Sequence, residues 1–162
     1  MPMKTWDAMI KKALNMYVHR ARYAYFYGAK GEVLTEATMD YLIRCYPQHF
    51  ARYDKKQLKD IKAYSAGKIG YDCSGFITAV SDVAGSSSMQ FSACHDITDN
   101  LASGPAGSFL YRPGHIGLDI GYGAFLHCPS EGRTIEMGII REYVWEQTGQ
   151  SNYINMEGSD SR

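Results

Sequence analysis

The sequence predicts an α+β fold, with helices first and an antiparallel sheet after them. Up to about residue 66, apolar residues recur every three or four positions between charged ones. From residue 115 onward, apolar and polar residues alternate in short runs. Between them, residues 73–83 form an apolar stretch of helical length with almost no charge.

Trp6, Met9, Ile10, Ala13, Leu14 and Tyr17 predict a helix over about 5–24, with Thr5 as N-cap and Asp7 in its first turn. Met39, Leu42, Ile43 and Tyr46 predict a second over 36–46, capped by Thr35 and ended by Pro47. A third starts near Asp54 and carries Leu58, Ile61 and Tyr64, until Gly67 and Gly70 break it. In 73–83, Cys73, Phe76, Ile77, Val80 and Val83 form the buried stripe. Residues 86–114 are polar, with weak strand signals at 89–91 and 108–111. Residues 115–120 and 124–128 alternate as a hairpin around Gly121-Tyr122-Gly123. Thr134–Ile140, Tyr143–Trp145 and Tyr153–Asn155 are further strand candidates, and 157–162 reads as a flexible tail. The expected organisation is one domain over 1–156, helical over about 5–66 with a core over about 67–156.

A chain of 162 residues buries enough surface to fold without staples. The zero formal net charge argues against nucleic-acid binding through excess cations. No apolar run approaches the roughly 18 residues of a membrane span. The first residues lack an apolar signal region, so synthesis in the cytoplasm is expected. Cys45, Cys73, Cys94 and Cys128 match no zinc-ribbon or CxxC spacing, and a Cys94–Cys128 disulfide stays open. The 13 tyrosines suit a core and a polar groove equally.

Asp72-Cys73-Ser74-Gly75 opens the buried helix. Backbone N–H groups and the helix dipole there favour a thiolate and an oxyanion, and Gly75 would allow close substrate approach. His115 must point away from the core side of its strand, because Ile116, Leu118 and Ile120 claim that side. His115 and His127 share a face only if the hairpin register has an even pairing sum. A three-residue loop supplies that, and a two-residue loop does not. Zinc ligation by Cys73, His115 and His127 is the competing chemistry.

Asp72–Phe76, Gly114–Gly121 and His127 resemble, in order and spacing, the NlpC family of bacterial cell-wall cysteine peptidases, over about residues 60–145. The resemblance implies a papain-like fold, with the nucleophile helix packed on an antiparallel sheet. It implies Cys73 as nucleophile, His115 as general base and acid, and His127 as the residue orienting His115. It also implies substrate contacts from Asp72, Ser74, and Tyr71 or Tyr64, with no metal and no cofactor. The expected substrate is a peptidoglycan stem peptide, cut next to γ-D-glutamyl by a monomer that reaches the wall by phage- or secretion-type delivery. An acyltransferase or amidase acting elsewhere is the alternative, and a binding module with a decayed site is a third. The family's Gly-Asp-Leu before the histidine strand is replaced by residues 104–110, and its upstream Tyr-Trp-Gly-Gly is missing. Tyr64, Tyr71, Tyr111 and Tyr122 are expected near the cleft, and Tyr17, Tyr41 and Tyr46 in structural roles.

Overall fold

The computed structural model describes residues 2–160. Its architecture is mixed α+β, with a six-stranded antiparallel sheet as the largest element. Strand β1 (Lys4–Thr5) leads into helix α1 (Trp6–Val18). The Thr5 hydroxyl accepts the Ala8 N–H, and Met9, Ile10, Ala13 and Met16 form the buried stripe. The helix stops at Val18, short of the expected residue 24. One 3-10 turn follows at Arg20–Arg22, then strand β2 (Tyr23–Tyr25). The alternation in Tyr-Ala-Tyr suits a strand, and β2 finds its parallel partner in β4 (Ile69–Tyr71). Strand β3 (Lys30–Val33) pairs antiparallel on the other side of β4. This small sheet is missing from the sequence expectation, because local periodicity carries no trace of so distant a pairing.

Helices α2 (Glu36–Cys45), α3 (Pro47–Phe50) and α4 (Lys55–Ser65) follow. Thr35 caps α2 as expected. Pro47 ends that helix and also starts α3, where its missing N–H costs nothing. Asp54 and Gln57 form a reciprocal capping box on α4, with bonds of 2.8 and 2.9 Å. Leu34, Met39, Leu42, Phe50 and Ile61 pack with Ala24 and Phe26 into their own apolar cluster.

Helix α5 (Cys73–Ser81) ends at Asp82, which adopts the left-handed conformation. The weak strand signal at 89–91 is instead helix α6 (Ser87–Ser92), capped by Ser86. Its buried Gln90 donates to the carbonyls of Ser74 and Val83, fixing α6 against α5. The large sheet comprises β5 (Cys94–Thr98), β6 (Phe109–Arg112), β7 (His115–Gly121), β8 (Ala124–His127), β9 (Glu136–Ile139) and β10 (Gln147–Ser151). Their order is β5-β10-β6-β7-β8-β9. Ile116, Leu118 and Leu126 face α5 and pack on Phe76, Ile77 and Val80. Strand β11 (Ile154–Asn155) pairs with β1.

Tyr143–Trp145 is not a strand. It follows a 3-10 turn, and its rings lie over the sheet's other face. The expected flexible tail is tied down where it is described: the Trp6 indole donates to Glu157 O, and Ala106 N–H to Asp160 O. The last two residues of that tail lie outside the described residues. Cys94 and Cys128 are free thiols bonded to separate carbonyls, those of Gln90 and Tyr71. No helix among the described residues is long and apolar enough to cross a membrane.

The helical cluster is joined to the sheet by one buried carboxylate. Glu131, four residues after β8, pairs with His49 of α3 and accepts from the Tyr53 hydroxyl at 3.2 Å. Its side chain is 1% exposed. Removing one partner of a buried pair leaves the others desolvated and unpaired. Glu131→Ala should therefore cost about 3 kcal/mol in urea unfolding. A loss below about 0.5 kcal/mol would show that the pair does not join the two clusters.

Candidate active site

Asp72 is the N-cap of α5, and its carboxylate is fully occupied. Oδ1 accepts from Gly75 N–H at 2.7 Å, Ser74 Oγ at 3.0 Å and Lys30 Nζ at 2.9 Å. Oδ2 accepts from Gly28 N–H at 3.1 Å. The Asp72 N–H donates to Ala29 O, so the 28–30 segment is stitched to the helix start. Gly75 serves this seam: a Cβ there would lie 2.6 Å from Ala29 O. Its role is close packing against the N-terminal segment, in place of the substrate approach expected for it.

Cys73 is buried at the first position of α5. Its thiol lies beside the backbone flanking His115. Sγ is 3.9 Å from Gly114 O and receives the Ile116 N–H. No hydrogen bond joins it to an imidazole. Burial pushes the thiol up to about 11, and the Asp72 carboxylate adds to that. The Ile116 and Ser74 N–H groups and the Lys30 ammonium pull it down only in part. Burial thus outweighs these groups and favours the thiol over the resting thiolate expected at the helix start.

The histidines meet by a route the sequence reading did not contain. The turn is the two-residue kind, Tyr122-Gly123, with φ of 57° and 77°. Gly121 pairs with Ala124, which alone would put the histidines on opposite faces. A bulge then intervenes: Asp119 pairs with Phe125 and Leu118 with Leu126, so Ile120 is an extra residue. The Asp119 carboxylate supports the bulge by accepting the Gly121 N–H at 2.8 Å. The extra residue restores the even register, and His115 and His127 become diagonal neighbours. His115 Nε2 and His127 Nδ1 are 2.7 Å apart.

Both rings are buried on the sheet face opposite α5, among Phe125, Tyr143 and Trp145. The Trp145 indole stacks on His115 at 5.1 Å and 6° between planes. Gly117 makes room for it, since a Cβ there would lie 2.7 Å from the indole. Burial pushes both imidazoles down to about 3; for His115 its histidine partner adds, and the Arg112 and Arg133 cations add for both. The resting pair is neutral, and one ring must donate to the other. If His115 Nε2 is the donor, His115 Nδ1 carries a free lone pair.

A cleft of about 560 Å³ opens on Cys73, lined by Tyr25, Tyr27, Tyr46, Lys30 and Ser74 among others. None of the tyrosines expected there reaches it. Tyr64 belongs to the helical cluster, under the Lys68 ammonium. Tyr71 packs its ring against Tyr23. Tyr111 stacks on Phe91, and Tyr122 stands 87% exposed on the turn. Tyr46, read as structural, is a cleft residue. The alternation of Tyr23, Tyr25 and Tyr27 is the signal for this wall, and the helical spacing predicted to about residue 24 overlaps its start. Asp72 and Ser74 border the cleft, but their hydrogen bonds are spent within the protein.

Among the described residues, no three His, Cys, Asp or Glu side chains converge as metal ligands would. Comparison with protein-family models finds no match, and comparison with curated proteins finds none.

The raised thiol makes a direct prediction. Alkylation of Cys73 by iodoacetamide, followed by peptide mass spectrometry, should accelerate about tenfold per pH unit from pH 7 to 10, because only the thiolate reacts. A rate already flat at pH 7 would mean the thiol is ionised in the resting protein.

Proposed function

We propose that the protein is a cysteine peptidase or amidase of the NlpC type, with a papain-like arrangement, that hydrolyses an amide bond in peptidoglycan stem peptides. The observation that carries this reading is the buried His115–His127 hydrogen bond, on the strand whose backbone at Gly114 borders the Cys73 thiol at a helix start. A buried imidazole pair at a helix-borne cysteine suits nucleophilic acyl transfer.

Cys73 Sγ attacks the carbonyl carbon as its proton passes to His115 Nδ1. The free protein has no Sγ–imidazole hydrogen bond, and the His115 ring packs under Trp145 on the far sheet face, so this transfer requires His115 to reach the thiol in the bound state. His127 accepts from His115 Nε2 and thereby fixes the tautomer that leaves Nδ1 basic. The oxyanion falls to the N–H groups of Cys73 and Ser74. Those of Gly75 and Phe76 are already committed to Asp72. The imidazolium then gives its proton to the departing amine, leaving a thioester. Water, deprotonated by His115, attacks the thioester and releases the acid and the thiol.

Cys73→Ala should abolish release of peptide fragments from purified cell walls, read by mass spectrometry. Digestion at the wild-type rate would overturn the mechanism. Thioester formation on another acyl donor, with walls untouched, would favour the acyltransferase reading. His127→Phe should lower kcat by about a hundredfold or more, since the wrong tautomer removes the base. An unchanged kcat would remove His127 from the chemistry.

A further inference from the structure

We propose that Lys30 reads a carboxylate on the acyl side of the scissile amide, and so selects substrates linked through a side-chain carboxyl. This deepens the peptidase reading and rests on it. The argument is a count of hydrogen-bonding capacity at the cleft. Asp72 accepts four donors, all from the protein. Ser74 Oγ has one proton, given to Asp72, and it accepts from Lys30 Nζ at 2.6 Å. Neither has a strong group left for a ligand. Lys30 has three N–H donors and spends two of them, on Asp72 and Ser74.

Lys30 is also placed to act. It opens β3 and lines the cleft with Cys73, and its side chain is 47% exposed. Its charge is near enough to favour the Cys73 thiolate. Glu32 does not compete for the ammonium, because its carboxylate takes the Lys30 backbone N–H. The remaining groups lining the cleft are tyrosines, small hydroxyl residues, Cys73 and backbone, with Asp72 as the one carboxylate. Lys30 is thus the one cationic side chain lining it among the described residues, half neutralised by a carboxylate too occupied to bind anything else.

An ammonium with a spare donor favours a carboxylate, through a charge-assisted bond. An α-amide of a residue with a neutral side chain presents no such group beside the reacting carbonyl. A residue joined through its side-chain carboxyl, as in a γ-glutamyl link, leaves its α-carboxylate free three carbons away. The same chemistry disfavours the substrate whose α-carboxyl is amidated.

The test uses two γ-D-glutamyl-diamino-acid peptides that differ only in a free α-carboxylate or an α-carboxamide. Turnover is measured with the full chain, and binding by calorimetry with the Cys73→Ala chain. The wild type should favour the carboxylate peptide about tenfold or more in kcat/KM, as expected for one charged hydrogen bond. Lys30→Gln should bring the ratio of the two peptides to about one, and Lys30→Arg should keep it above one. Thermal melting confirms that the variants are folded. Turnover without a carboxylate preference, or a Lys30→Gln loss equal on both peptides, overturns the role of Lys30 and leaves the peptidase reading intact. No turnover, with carboxylate-dependent binding that Lys30→Gln removes, supports Lys30 and overturns the peptidase reading. Neither turnover nor preference overturns both.

Discussion

The Asp72 carboxylate is the constraint on which the candidate site depends. A buried carboxylate is tolerated only when donors surround it, and these donors come from two separate segments, residues 28–30 and 74–75. An N-cap by itself contributes about 1 kcal/mol to a helix. This one also fixes where the 28–30 segment runs, and with it Lys30 and the neighbouring Tyr27 of the cleft wall. The helical part is therefore a builder of the cleft. Glu131 repeats the device on the far side, where His49 carries the stacked Tyr27 ring at 4.0 Å.

Dryness is the second governing condition. Trp145, Tyr143 and Phe125 enclose the imidazoles, and the helix and sheet enclose the thiol. Each group is driven to its neutral form by burial. A thiol kept protonated reacts slowly with stray electrophiles, and the proposed mechanism relies on bound substrate to align the proton transfer. For the proposed nucleophile, the cost is an intrinsic acidity that gives little help.

Much of the helical half was legible because its signals are local. Thr35, Asp54 and the apolar stripes sit within a few residues of what they control. The motif around Cys73 and His115 was legible for the same reason. The β2-β4-β3 sheet was not, since its pairing joins Tyr23 to Ile69 across three helices. Trp145 looked like strand because its neighbours alternate, yet it serves as a lid on Gly117. Asp72 and Ser74 looked available to substrate because saturation is a tertiary property. Their donors at Gly28 and Lys30 lie more than forty residues upstream.

The Ile120 bulge has a consequence for how this chain can change length. The turn and the bulge compensate each other, one shifting the register by a residue and the other shifting it back. With the two-residue turn kept, losing Ile120 would turn His127 to the α5 side, or drive Phe125 and Leu126 to exchange environments. Paired changes of two residues keep the alternation. The exposed turn at Tyr122 is a different case: residues added there lengthen the loop and leave the pairing of Gly121 with Ala124 and Asp119 with Phe125 in place.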